Sequence, residues 1–338
     1  MKNIVVLLTK YSALIKAIFY KKRFFNAFLA IVSYISKKDR FSALPFFVQI
    51  EPTNRCNLSC SLCITGLGKL RRPKRDMSFS EFTQIIDQFE GSIIYLVLYN
   101  LGEPLLNAHI YEMINYAKKR RIFVKLSTNG YFTDRKHIKD IVNCGIDELI
   151  ISLDCVSPKN YLKYKNSHSF YDVINNIELI IKERKGRQSP FINVQLLLIR
   201  DNEEDISQFR CLVRRLGVDK GLIKKPRVNF PGVVPDVSFL PLNSKYVRNS
   251  YKDFHKSRKC SRPWISTVIL SDGSVVPCCF DMHGEYNFGD AINLNFRQIW
   301  NSDTYIWFRN QNLTDSNQIS LCQQCSVRDF FGNFAGRL

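Results

Sequence analysis

The chain has 338 residues, with 49 Lys and Arg against 30 Asp and Glu, a formal charge of +19, and 45% hydrophobic residues. That apolar fraction excludes a disordered chain, and the length allows one large domain with an appendage, or two domains, with no need of disulfide staples. The charge falls in two blocks: residues 1–50 hold nine Lys and Arg against the single Asp39, and residues 214–262 hold thirteen against three acids. The eleven cysteines need an explanation of their own.

Residues 3–38, rich in Phe, Ile, Leu and Lys, read as one or two helices. Lys10 and Lys16 interrupt the apolar stretch Ile4 to Tyr20, and no small-residue cleavage site follows, so it is not read as a secretory signal. The uncharged run Phe24 to Ser36 is too short to span a bilayer. Two readings stand for this segment of 1–44: an amphipathic helix packed on the main domain, or a helix on an anionic membrane surface with Lys21, Lys22 and Arg23 facing the headgroups. The expected location is the cytoplasm, with peripheral membrane contact as the second reading. In a reducing compartment, cysteines serve metal binding or catalysis before they serve disulfides.

From Pro45, strand and helix signals alternate. Apolar, β-branched runs fall at Phe47–Glu51, Ile93–Tyr99, Ile122–Ser127, Glu148–Asp154 and Phe191–Ile199, with a weaker one at Leu222–Val228. Helical stripes lie between them: Phe79, Phe82, Ile86 and Phe89 behind a Ser78/Glu81 capping box; Ile110, Met113, Ile114 and Ala117; Val173, Ile174, Ile177 and Ile181; Ile206, Phe209, Val213 and Leu216. Repeated strand–helix units require a parallel sheet, because parallel neighbours need crossover connections. Six units predict an α/β fold, a partial (β/α)6 TIM-like barrel over 45–230. A Pro-containing basic linker over 231–259 follows, then a small cysteine-rich hairpin-and-helix extension over 260–338. Within that extension Asp272-Gly273 signals a hairpin between Thr267–Leu270 and Ser274–Pro277, and Phe296–Phe308 reads as one short helix.

The first strand runs into Cys56, Cys60 and Cys63, spaced C-x3-C-x2-C on one loop. A four-iron, four-sulfur cluster takes thiolate ligands, and three cysteines leave one iron open. Zinc completed by a distant His or Cys is the alternative, although structural zinc motifs usually pair their cysteines in two knuckles. The loop resembles the signature of the radical S-adenosylmethionine superfamily, in which S-adenosylmethionine chelates the open iron. Further segments carry the resemblance. Gly102 and Glu103 match the stretch that takes the methionine amino group, with Leu101 where a Gly is usual; Ser127 and Asn129, with Ser152 and Asp154, match the ribose and carboxylate segments; Leu62 holds the position packed near adenine. Singly, each reads as a turn, a loop start or a helix cap. Together they fall at the C-terminal ends of four successive strands, where β/α barrels build active sites.

A second set, Cys260, Cys278, Cys322 and Cys325, can fully ligate one auxiliary 4Fe–4S cluster or a tetrahedral zinc. The arrangement resembles SPASM and twitch extensions of the same superfamily, with Cys279 left out of the ligand set. Cys144, Cys155 and Cys211 read as ordinary buried thiols. The resemblance implies an oxidoreductase-like enzyme that cleaves S-adenosylmethionine to a 5′-deoxyadenosyl radical and takes hydrogen from a substrate. It also implies a reducing partner such as flavodoxin or ferredoxin.

A phosphate- or nucleotide-linked sugar or aminocyclitol substrate suits the basic residues Lys224, Lys225 and Arg227, which read equally as a solvated surface. A peptide substrate, an RNA substrate and a non-catalytic metal-binding module are the alternatives. The RNA reading has the charge in its favour but no RRM or KH signature, so nucleic acid is not the expected partner. Tyr161-x3-Lys165 sits where relatives carry an Arg after a Tyr; if Lys165 faces the pocket, it keeps the charge and loses the fork.

Overall fold

The structure is a computed structural model and describes residues 2–187, 189–226, 237–246, 260–323 and 325. Two helices, α1 (Lys2–Ile18) and α2 (Arg23–Ile35), precede the alternating region. There follow β1 (Phe47–Ile50), α3 (Phe79–Asp87), β2 (Tyr95–Val97), α4 (Ile110–Lys119), β3 (Phe123–Thr128), α5 (Lys136–Asn143) and β4 (Glu148–Asp154). Next come α6 (Pro158–Lys165), α7 (Phe170–Glu183), β5 (Phe191–Leu197), α8 (Ile206–Leu216) and β6 (Lys220–Lys224). The C-terminal part holds α9 (Arg262–Ile265), β7 (Ser266–Ile269), β8 (Val275–Val276), α10 (Phe296–Trp300), α11 (Asp303–Thr314) and α12 (Ser320–Gln323).

One eight-stranded sheet runs in the order β6-β5-β4-β3-β2-β1-β7-β8. Strands β1 to β6 are parallel and lie beside their sequence neighbours, as successive crossovers of one hand require. The sheet is open, an α/β partial barrel as expected. The hairpin does not form a layer of its own: β7 pairs in parallel with β1 over four residues, and β8 pairs antiparallel with β7. Along the strands, Val48, Ile50, Leu96, Val124, Leu126, Leu149, Ile151, Val194 and Leu196 are fully buried. They meet the apolar stripes of α3, α4 and α7, including Phe82, Met113, Val173 and Ile177. Ser78 closes the capping box with Glu81 that starts α3.

The N-terminal ends of the strands are plugged. Phe47, Tyr95 and Phe123 occupy paired positions on β1, β2 and β3 and stack at 5.0 and 4.9 Å. Helix α1 lies against this column through Ala13, Leu14, Ala17 and Ile18. Lys10 reaches Glu148 at the start of β4, 3.1 Å away. Arg23 does not face outward with Lys21 and Lys22. It is 1% exposed and donates to the carbonyls of Ala17, Gly91, Arg120 and Arg121, because those chain ends lie beneath the strands with carbonyls to satisfy. Burial lowers its pKa to about 10. Among the described residues no helix is long and apolar enough to cross a membrane.

Three further expectations change. The run Phe296–Phe308 is two helices: α10 ends at Asn301 and Ser302 caps α11 by accepting from the Tyr305 amide. Cys144 and Cys155 are buried, but Cys211 is exposed, because it sits two residues from Phe209 and so on the opposite side of α8. The sixth strand lies at Lys220–Lys224, earlier than the expected Leu222–Val228. Arg227, Val228 and all of the linker 231–259 except 237–246 lie outside the described residues.

Candidate active site

The C-terminal ends of β1 to β4 converge on one edge, opposite the α1–α2 plug. The cysteine loop that follows β1 is fixed at its base: Asn54 donates to Pro73 O and accepts from the Arg75 amide, and Thr53 Oγ1 accepts from the Arg55 amide. Two glycines let other backbone press against it. A Cβ on Gly66 would lie 2.5 Å from Cys60 N, and one on Gly102 would lie 2.6 Å from the carbonyl oxygens of Thr53 and Arg55. Gly102 also has φ +77, which a side chain rarely tolerates. This close approach seats the loop after β2, and the Glu103 amide donates to Arg55 O at 2.7 Å.

Glu103 is 2% exposed. Its Oε1 accepts from Thr128 Oγ1 at 2.7 Å and from the Leu105 amide at 3.1 Å, and its Oε2 accepts from the Asn129 amide at 2.7 Å. A carboxylate has about four acceptor positions, so one on Oε2 is left for a ligand donor. Burial pushes the Glu103 carboxyl up, against those three hydrogen bonds. The Asn129 side-chain Nδ2 donates to Asn57 Oδ1 at 2.7 Å, tying the end of β3 to the cysteine loop. Ser127 and Ser152 stand side by side on β3 and β4, their hydroxyls 3.4 Å apart.

At the end of β4 the register with β5 shifts between Ser152 and Asp154, and Asp154 takes φ 64. Such an irregularity re-aims a side chain. The Asp154 carboxylate is 4% exposed; it accepts from Lys165 Nζ at 2.5 Å and from Gln195 Nε2 at 2.8 Å. Lys165, itself 4% exposed, closes α6, whose last turn also packs on the cysteine loop through Ser61 N to Tyr164 O. Burial works to discharge Lys165, but Asp154 and the Cys60 thiol beyond it hold its pKa well above normal. Lys165 therefore faces the site as a charge already committed to Asp154.

The three cysteines are half-buried, and Leu62 beside them is buried. Burial raises the Cys56 thiol and pushes Cys60 to about 12. Among the described residues no three His, Cys, Asp or Glu side chains form a ready metal cage. The chemistry of the donor set nonetheless fits a cluster. Three thiols on one loop lie within each other's electrostatic reach, and the neighbouring cation is engaged elsewhere, so thiolates there need the positive charge that iron brings.

The second set also gathers. Cys278 lies in the field of Cys279, Arg262 and Cys325, and Cys322 in that of Cys260 and Cys325. Burial raises Cys278 strongly and Cys322 to about 12. Arg262 lies half-buried against this group, 3.8 Å from Cys279 Sγ; desolvation disfavours its charge, but Cys279, Cys278 and Cys260 more than offset that and raise its pKa. The donor chemistry again fits a thiolate-held metal.

Three participants escaped the sequence reading. Glu51, wholly buried at the end of β1, accepts from Arg72, Asn100, the Leu101 amide and both Ser271 groups, joining the site loops to the hairpin. Gln195 and Arg262 are the others. Only a strand-end acid and an Arg two residues after a cysteine mark them in the sequence.

Comparison with known proteins agrees with this geometry. Residues 50–210 match the model of the radical SAM superfamily, and residues 260–326 match SPASM, an iron–sulfur cluster-binding domain. The chain is 25% identical over 317 residues to a tungsten-containing aldehyde ferredoxin oxidoreductase cofactor-modifying protein of Pyrococcus furiosus, covering 84% of this chain and 88% of that one. It is 27% identical to mycofactocin maturase MftC of Mycolicibacterium smegmatis, covering 84% and 76%. In fold it is similar to Streptococcus suis SuiB bound to S-adenosylmethionine (TM-score 0.65, 13% identity, 90% and 77% covered). It is also similar to BtrN in complex with AdoMet and 2-DOIA (TM-score 0.53, 17% identity, 85% and 95% covered).

Proposed function

We propose that this chain, which belongs to the radical SAM superfamily and carries a C-terminal SPASM iron–sulfur domain, oxidises its substrate by abstracting a hydrogen atom at the strand-end site. Cys56, Cys60 and Cys63 would hold the site cluster, and Cys260, Cys278, Cys322 and Cys325 an auxiliary one. When bound, the site cluster and S-adenosylmethionine supply one-electron cleavage of a carbon–sulfur bond and a 5′-deoxyadenosyl radical that takes the hydrogen.

The chain's residues bind and orient. Glu103 offers its remaining acceptor position, beside Gly102, to the methionine ammonium. Ser127, Asn129, Ser152 and Asp154 line the path for ribose and carboxylate, and Leu62 gives adenine an apolar contact. Lys165 neutralises Asp154 and so keeps the net charge beside the cysteine loop low. The observation that carries the reading is the buried Glu103, which accepts three hydrogen bonds, keeps one acceptor position and lies within the electrostatic reach of Cys56.

Two substrate classes have support. A cofactor under maturation is favoured by the two relatives named as a cofactor-modifying protein and a maturase, each aligned over 84% of this chain, and a peptide by the fold shared with SuiB bound to precursor peptide SuiA. A phosphate- or nucleotide-linked sugar or aminocyclitol draws on the fold shared with BtrN and on Lys224 and Lys225 at the C-terminal end of β6, the same edge as the site.

The test is iron and acid-labile sulfide per chain after anaerobic reconstitution, with 5′-deoxyadenosine measured by chromatography. Wild type should hold about eight irons and the Cys56→Ala/Cys60→Ala/Cys63→Ala variant about four, with no 5′-deoxyadenosine. Zinc without iron in the wild type would overturn the reading. Faster 5′-deoxyadenosine release with peptides than with aminocyclitols, or the reverse, decides the substrate class.

A further inference from the structure

Helix α2 buries polar residues and leaves a large apolar stripe outside. It turns Arg23, Asn26, Ala30 and Ser33 toward the domain, with Leu29, Ile31 and Tyr34 partly buried beside them: Arg23 is held by four carbonyls, Asn26 exchanges hydrogen bonds with Leu44, and Ala30 packs by Trp264. The residues it turns outward are Phe24, Phe25, Phe28, Val32 and Ile35, between 36% and 70% exposed. At 3.6 residues per turn these five fall within an arc of about 100° and form a stripe about 17 Å long. Phe19, 66% exposed at the turn after α1, stacks on Phe24 at 5.5 Å and lengthens it.

A surface helix ordinarily buries its large apolar side and shows its polar one. Here the fold satisfies the polar side internally and leaves five large side chains in water, which requires an occupant. The charges around the stripe choose it. Lys16, Lys21 and Lys22 are exposed at one end, Lys37 and Lys38 at the other, and residues 1–38 contain no Asp or Glu. A second copy is a poor occupant. Pairing two stripes antiparallel sets Lys21 and Lys22 against the other copy's Lys37 and Lys38, and pairing them parallel sets like against like. A bilayer with anionic headgroups takes the phenylalanines into its interface and pairs with lysines at both ends.

We propose that the outward face of α2, with Phe19, docks this protein on anionic bilayer surfaces. The plug lies under the N-terminal ends of the strands, since the carbonyls that bind Arg23 come from the chain just before β2 and β3. Docking this way turns the cysteine edge from the lipid and leaves the site open to substrates in solution.

The experiment is co-sedimentation of the reconstituted full chain with vesicles of phosphatidylcholine alone or mixed equally with phosphatidylglycerol. Binding should be about tenfold stronger to the mixed vesicles and fall with salt. The Phe25→Ser/Phe28→Ser and Lys21→Glu/Lys22→Glu variants should each lose about tenfold while keeping wild-type circular dichroism and 5′-deoxyadenosine formation. No binding to mixed vesicles, or equal binding to both kinds, would overturn the proposal. So would a dimer in solution that the serine variant dissolves.

Discussion

Asp154 owes its place to three things that act within a few ångströms: a register shift at the end of β4, a left-handed backbone that Asp tolerates better than most residues, and a lysine brought by the next helix. The pair is worth more in its breaking than in its making, because removing one partner leaves the other buried and uncompensated. Lys165→Met should lower the unfolding free energy by about 3–5 kcal/mol in urea titrations. The double variant with Asp154→Asn should recover most of that loss. A double variant no more stable than the single one would mean that Lys165 stabilises by packing alone. At this scale Gln195 and Lys165 could not be assigned partners from sequence: 41 and 11 positions separate them from Asp154, and no periodic pattern links them.

At the scale of elements, α1 is fastened by charge as well as by apolar contact. Glu148 accepts from Asn193 at 2.9 Å and lies 3.1 Å from Lys10 and 3.5 Å from Lys125. Burial raises its carboxyl, but Lys125 and Lys10 together outweigh burial and hold it below the usual carboxylate value. A folded value below the unfolded one gives stability that is complete above the ordinary carboxylate range and fades as pH falls through the folded value. Glu148→Gln should therefore cost about 3 kcal/mol at neutral pH. The gap to wild type should close as pH drops below about 4, measured by denaturation across pH. Helix α2 shows what hydrophobic patterning leaves open. Apolar residues lie all round it, so which side meets the protein is decided by Arg23, whose carbonyl partners come from chain near residues 91 and 120.

Over the whole molecule, the C-terminal cysteines and the strand-end site share one sheet. Strand β7 extends the ladder from β1, and buried Glu51 bonds to Ser271 across 220 positions. Metal binding at the second set should then stabilise the entire chain and not a separate lobe. Replacing Cys260, Cys278, Cys322 and Cys325 by Ser should lower Tm by about 5–10 °C within a single transition. Two separated transitions in calorimetry would show that the hairpin region unfolds alone.

Much was determined by sequence alone because it depends on neighbours in the chain. Alternating apolar runs and stripes specify strands, helices and their parallel order, and three cysteines within eight residues must share a loop wherever it lies. The segments around Glu103, Asn129 and Asp154 were legible for the same reason, each following a strand. Tertiary structure alone decided what spans long separations. It made the hairpin a continuation of the core sheet, gave Glu51 its five donors, paired Lys165 with Asp154 and turned the phenylalanines of α2 to solvent. Those outcomes depend on which buried polar groups find partners once the chain is compact, and a linear pattern does not record that.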